Sequence, residues 1–339
     1  MQNIYNYDYQ ELENKLIELG EKKYRTRQIW EWLYLKKVSS FKEMTNLGKD
    51  LISKLEENFA FPNIKILKKQ ESKLTNKYLF ELPDGNFIEA VLMRHDYGLS
   101  ICVSSQVGCN MGCAFCESGR LKKVRNLEAG EIISQIILVS NDINERISSV
   151  VIMGIGEPFD NYDNIIKFVK IINNSYGLAI GARHITISTC GIIPKIKEFM
   201  TLPLQVNLAI SLHAPNNELR KQIMPISNAY PLDDLVNVLK EYIAKTNRRV
   251  TIEYVMLNNV NDSVSNAYEL AKLLKGMNVY VNLIPYNETS HLEFRKSRKE
   301  QINKFFDCLK KEGINVTVRR EFGSKIDAAC GQLRSKEEA

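Results

Sequence analysis

No apolar run in this chain approaches the roughly 20 residues that a helix needs to cross a bilayer. The longest stretches, such as Ile132–Val139, carry a serine and a glutamine within them, so no membrane span is expected. The N-terminus, MQNIYNYDYQELENK, lacks the basic stretch followed by an apolar stretch that marks a secretory leader. A cytoplasmic protein is expected. No internal repeat or low-complexity tract stands out. Cysteine is scarce and odd in number, seven in 339 residues, which in a reducing compartment favours metal binding or catalysis over a disulfide framework. Charge of one sign is not in large excess: 46 Lys and Arg against 40 Asp and Glu leave +6, which permits a nucleic-acid partner without requiring one.

What is present is an ordinary globular composition, 44% hydrophobic, in a chain long enough for one large domain and a smaller one. Residues 1 to about 60 read as helical. In YRTRQIWEWLYLKK the apolar Ile29, Trp30 and Leu33 recur at helical spacing beside Arg25, Arg27, Lys36 and Lys37, and LGKDLISKLEENF repeats the pattern with Leu51, Ile52, Leu55 and Phe59. Next comes KYLFELPDGNFIEAVLMRH, two apolar stretches around Pro83-Asp84-Gly85-Asn86, the signature of a hairpin; Glu89 sits in its second strand. From about residue 98 short apolar runs (LSICVS, SVVIM, HITIS, QVNLAISL, RVTIEYVML, VYVNLIP) alternate with amphipathic helical patterns. Such alternation implies a parallel sheet covered by helices. Six units fit a partial (β/α) barrel, with an open doubly wound sheet as the alternative; in both, ligands bind at the carboxyl ends of the strands.

The most unusual stretch is GCNMGCAFCESG, residues 108–119, with Cys109, Cys113 and Cys116 inside eight residues and no fourth cysteine nearby. Thiolates bind zinc and iron–sulfur clusters. A structural zinc site needs four ligands, so a zinc loop here would borrow His184 or Cys190 from elsewhere. Three thiolates on a four-iron cluster instead leave one iron open to a substrate, as an open position separates catalytic zinc from structural zinc.

At these residues the chain resembles the radical S-adenosylmethionine (SAM) enzymes, whose signature is C-x3-C-x2-C in the loop after the first strand of a (β/α) barrel. The resemblance implies a [4Fe-4S] cluster on Cys109, Cys113 and Cys116, with SAM chelating the open iron. Other strand ends agree: MGIGEP places Gly156 and Glu157 where the family binds the SAM amine, Ser188 ends HITIS, Ser211-Leu212-His213 end LAISLH, and Asn287 follows VNLIPY. More narrowly, YRTRQIWEWLY, CVSSQVGCNMGCAFC, RNLEAGEI, GIGEP…NYDN, SLHAP, EYVMLNNVNDS and VTVRR…GSKIDAACGQL resemble the RlmN family of adenosine-C2 RNA methyltransferases, and less fully the Cfr family, which methylates carbon 8 and confers ribosomal antibiotic resistance. The expected architecture is therefore α/β, a partial (β/α)6 radical SAM barrel over 98–335, a small helical RNA-binding domain over 1–62 and a β-hairpin linker over 63–97.

The family resemblance also implies a route. Carbon 2 of adenine is electron-poor and cannot attack SAM directly, so Cys330 in IDAACGQL takes a methyl from one SAM as a covalent relay. A second SAM is cleaved at the cluster to activate that methyl, which adds to the ring and leaves RNA joined to Cys330. Glu89 removes the ring proton, and Cys102 attacks Cys330 to release the RNA as a disulfide forms. The spacing from Glu89 to Cys102 and on to Cys109, thirteen and seven residues, agrees with the family pattern. The implied substrates are 23S ribosomal RNA and transfer RNA, with an electron donor such as flavodoxin or ferredoxin and a monomeric enzyme. Arg120, Lys122, Lys123, Arg125, Arg319 and Arg320 are the cations expected to meet RNA phosphates. Cys190 and Cys308 receive no role, and the ESG after Cys116 departs from the commoner family ending ATG. From another class, the remaining alternative is a zinc-stabilised RNA-binding protein.

Overall fold

Runs of Val, Ile and Leu suit strands buried on both faces, and the six apolar runs do form parallel strands of a single sheet. The computed structural model describes residues 1–289 and 291–319; Cys330 and Arg320 lie outside them. Ten strands make up the main sheet: β1 Lys65–Glu71, β2 Thr75–Glu81, β3 Phe87–His95, β4 Gly98–Cys102, β5 Ser149–Ile152, β6 Ile185–Thr189, β7 Asn207–Ser211, β8 Val250–Met256, β9 Val279–Pro285 and β10 Val316–Val318. Their spatial order is their chain order. From β4 to β10 every neighbouring pair is parallel.

That order decides between the two topologies. Crossovers between parallel strands are right-handed, so strands added always in one direction keep every helix on the same side of the sheet. A doubly wound sheet would need a reversal, and among the described residues there is none. The result is an open (β/α) barrel with a seventh parallel strand, β10, beyond the six expected. Helices α4 Ala129–Ile143, α5 Tyr162–Asn173, α6 Ile193–Phe199, α7 Asn217–Ile223, α8 Leu232–Thr246, α9 Val264–Leu274 and α10 Lys299–Lys311 fill the crossovers, and among the described residues no helix is long and apolar enough to span a membrane.

The predicted hairpin is present as β2–β3, with its turn at Pro83–Asn86. It is continuous with the barrel sheet, because β3 pairs antiparallel with β4, and it carries a further strand at the edge, β1, paired antiparallel to β2.

The N-terminal residues form α1 Tyr9–Glu18, α2 Tyr24–Glu31 and α3 Lys49–Asn58. Asp8 and Glu11 make a reciprocal capping box that starts α1. Ile29, Trp30, Leu33, Leu51, Leu55 and Phe59 are buried as their spacing predicts. This unit rests on the barrel through α4 and α5: Asn6 accepts from Gly130 N at 2.8 Å, Lys37 donates to Ser140 Oγ, and Lys167 pairs with Glu11 at 2.9 Å. Covered by the sheet on one side and this unit on the other, α4 is buried nearly all round.

Candidate active site

The cysteine loop leaves the sheet after β4 and is closed at its base by the short antiparallel pairing of Gln106–Val107 with Arg125–Asn126. Backbone bonds hold its turns: Cys116 N donates to Cys113 O, Gly119 N to Cys116 O and Cys109 N to Leu121 O. Gly119 is needed there, since a Cβ would stand 2.7 Å from Cys113 O. Cys109, Cys113 and Cys116 thereby line one cleft of about 960 Å³, counted to its open mouth, at the carboxyl ends of the parallel strands.

The same cleft is also lined by Gly156, Glu157, Ser188, Ser211, His213 and Asn287. The sequence-predicted set is thus brought together, with Leu212 as the exception: its side chain is fully buried and does not line the cleft. Gly156 adopts φ +106°, and a Cβ on it would meet Gln106 Cβ at 2.6 Å. The Glu157 carboxylate caps its own turn, accepting from Phe159 N at 2.9 Å, and reaches β6 by accepting from Cys190 N at 2.8 Å. Ser188 and Ser211 hydroxyls are 3.4 Å apart. His213 Nδ1 accepts from Val255 N at 3.0 Å, which leaves the ring proton on Nε2, and Phe115 from the cysteine loop meets the ring edge-on.

Burial governs the electrostatics of the cleft. It pushes the Cys109 thiol up to about 12, with Cys116 and Glu157 adding to it, and holds Cys113 well above the ordinary thiol range. Burial also raises the Glu157 carboxyl, against the hydrogen bonds it accepts. His213 is held down to about 3, by burial first and then by the charge of Arg220. Thiols in such a place become thiolates when a metal takes them. Among the described residues no three His, Cys, Asp or Glu side chains converge on one metal ion; three thiols spread round a shared cleft suit a cluster, whose irons are separate points of ligation. Met111, Phe115, Met153, Met224 and Ile284 give the cleft an apolar lining wide enough to suit an adenosyl group, and Glu157, Ser188 and Ser211 give it a polar part of the kind an amino-acid end would need.

Glu89 and Cys102 lie beside this cleft rather than in its wall. Cys102 is opposite Val91 in the β3–β4 pairing, and Glu89 is two residues from Val91 on the same face. Val91, Met93, Cys102 and Ile155 form a small apolar cluster whose border residue Met153 also lines the cleft. Several expected phosphate contacts are committed within the chain: Arg125 pairs with Asp84 and Glu131, Lys123 with Asp160, and Arg120 with Glu117. Three residues of the site went unread in the sequence. Glu253 is buried in the cleft and bonded to Asn282, Gln106 accepts from Glu157 N, and Arg220 is buried behind the strand ends; Gln106 and Glu253 lie within the quoted motifs CVSSQVGCNMGCAFC and EYVMLNNVNDS but were given no role, and Arg220 lies in none.

Residues 103–274 match the radical SAM superfamily, and residues 2–60 match a ribosomal RNA large subunit methyltransferase N-terminal domain. A probable dual-specificity RNA methyltransferase RlmN of Streptococcus thermophilus is 58% identical, with 98% of this chain and 88% of that one covered. Its counterpart in Enterococcus faecalis is 56% identical, with 99% and 97% covered. The chain belongs to the RlmN family of radical SAM RNA methyltransferases. A crystal structure of a radical SAM methyltransferase from Sphaerobacter thermophilus superposes with a TM-score of 0.95 at 40% identity, covering 99% of this chain and all of that one. RlmN-family membership sets aside the zinc-stabilised binding protein: the full-length relatives are methyltransferases, and the radical SAM family implies a [4Fe-4S] cluster and SAM.

Proposed function

We propose that this RlmN-family enzyme methylates carbon 2 of an adenosine in 23S ribosomal RNA near the peptidyl-transferase centre, and that a transfer RNA adenosine beside the anticodon is a second substrate. The observation that carries the reading is the convergence of three loop thiols and the strand-end residues Gly156, Glu157, Ser188, Ser211, His213 and Asn287 on one cleft, in a chain similar to RlmN proteins over its whole length. The N-terminal match to a ribosomal RNA methyltransferase domain supports the substrate class.

Cys109, Cys113 and Cys116 would hold the cluster, while Gly156, Glu157, Ser188, Ser211, His213, the backbone at Leu212, and Asn287 would hold SAM. Bound together, cluster and SAM supply the hydrogen-abstracting power that an ordinary methyl displacement lacks at this carbon. The chain's own residues do the rest. Cys330 carries the methyl on its sulfur between SAM and the ring, so two SAM molecules serve each methyl delivered. Glu89, whose carboxylate pairs with Lys77 of the neighbouring strand, takes the ring proton, and Cys102 frees the RNA by forming a disulfide with Cys330. The target base reaches the cleft by leaving its stack. A flavodoxin or ferredoxin supplies electrons to a monomeric, cytoplasmic enzyme.

The test is mass spectrometry of nucleosides from unmodified 23S RNA incubated with reconstituted protein, SAM and a reductant. 2-Methyladenosine is the expected product. 8-Methyladenosine would move the chain to Cfr-type chemistry, and unmodified RNA would overturn the ribosomal substrate.

A further inference from the structure

A fully buried arginine stands directly behind the cleft. Arg220, on α7, has no exposure to solvent, and its guanidinium is spent on neutral acceptors. Nε donates to Leu212 O at 3.1 Å, Nη1 to Ser227 Oγ at 2.9 Å, and Nη2 to Cys190 O at 2.6 Å and Ser211 O at 3.3 Å. Among the described residues none of its hydrogen-bond partners is a carboxylate. A guanidinium does not give up its proton, and a buried charge without a counter-charge is costly. Something anionic therefore belongs nearby.

The structure says where. Two of its acceptors, the carbonyls of Cys190 and Ser211, belong to residues that line the same cleft as the three loop thiols. The contact between α7 and that loop is physical as well: Ala114 N, between Cys113 and Cys116, donates to Ile223 O at the end of α7 at 2.9 Å, and Met224, the next residue, lines the cleft. One side chain thus ties the ends of β6 and β7 to the helix that backs the cysteine loop.

We infer that Arg220 is the fixed counter-charge of the cluster, a positioning residue that stabilises its reduced state. A four-iron core held by three thiolates is anionic, and reduction adds a further negative charge. A neighbouring cation in a low-dielectric setting favours the more negative state, and net charge and surroundings are among the levers that set a cluster's potential. The inference rests on the radical SAM assignment and on no particular RNA substrate.

The measurement is a spectroscopically monitored redox titration of anaerobically reconstituted full-length protein without RNA, in wild type, Arg220→Gln and Arg220→Lys, with iron content and circular dichroism recorded for each. Arg220→Gln is expected to hold the cluster with about a tenfold smaller reduced-to-oxidised ratio at matched poise, which is ~59 mV for a one-electron couple. Arg220→Lys keeps the charge and loses the fork, and is expected to stay near the wild-type potential. A cluster held by Arg220→Lys but not by Arg220→Gln would equally support the role of the charge. Equal potentials in all three, equal shifts in both variants, or loss of the cluster from Arg220→Lys would overturn it. Wild-type protein that takes up no cluster would count against the family reading, a distinct outcome.

Discussion

Lys77 Nζ lies 2.8 Å from Glu89 Oε1 with both side chains almost wholly excluded from solvent. The pair bridges β2 and β3 diagonally, since Lys77 faces Val91 and Glu89 faces Leu79 in the register, and it places the proposed base on the face that holds Cys102. Removing one partner of a buried pair strands the other, so Lys77→Met should cost about 3 to 5 kcal/mol of stability. The Lys77→Met/Glu89→Gln double variant should recover part of that loss in denaturant titration. A single variant no less stable than wild type would show that the pair is not held in solution. With Glu89→Gln alone, turnover should stall with RNA attached to protein, read as a retarded band on a denaturing gel.

Three thiols line the cleft as proposed ligands, and Cys190 lines it too, bonded through its backbone to Glu157. Iron content separates their roles. Cys113→Ala should abolish the brown colour and bound iron of the reconstituted protein, whereas Cys190→Val should keep both, since the C-x3-C-x2-C loop alone supplies the ligands. Loss of iron from Cys190→Val would make Cys190 a ligand and return the site to a four-thiolate design.

Gly156 combines φ +106° with contacts that leave no room for a Cβ, 2.6 Å from Gln106 Cβ and 2.7 Å from Ser105 Oγ. Gly156→Ala must shift the loop that carries Glu157. Strain of this kind costs about 1 to 3 kcal/mol, so equilibrium binding of SAM to the reconstituted protein should weaken by about fivefold or more, with iron content unchanged. Wild-type affinity in this variant would show that the loop does not shape the SAM site.

How much of this was legible in the sequence varies with burial. The six parallel strands read clearly because both of their faces are covered, and their ends carried Ser188, Ser211 and Asn287 to one edge of the sheet. Strand β1, KILKKQE, gave no such signal: it is the edge of the sheet, largely exposed, and its lysines serve to discourage further pairing. The burial of Arg220 and Glu253 was unread for the opposite reason. Charged residues are ordinarily at the surface, and only the fold reveals that these two are inside. The placement of Glu89 and Cys102 on one face of the sheet follows from the β3–β4 register, which no local pattern in the sequence specifies. The expected phosphate contacts at Lys123 and Arg125 looked free in the sequence because their partners, Asp160, Asp84 and Glu131, are brought to them by the cysteine loop's closure.

His213 makes the stability of the protein pH-dependent in a definite direction. Its imidazole is buried, accepts from Val255 N and is held down to about 3 in the folded state, against an ordinary value of 6.5. A lowered folded-state value means that the unfolded chain binds the proton more tightly. The stability contributed by the neutral ring is therefore fully present above about pH 6.5 and is lost progressively as the pH falls toward 3. Between pH 7 and pH 5 this one residue should remove about 2 kcal/mol. His213 also has positive φ, +59°, a conformation that asparagine tolerates, so His213→Asn should keep the backbone while removing the titrating ring. Denaturant midpoints of cluster-free wild type and His213→Asn at pH 7 and pH 5 test this: the wild type should lose the larger share of its stability, and equal losses in the two proteins would mean that His213 is not the group that titrates.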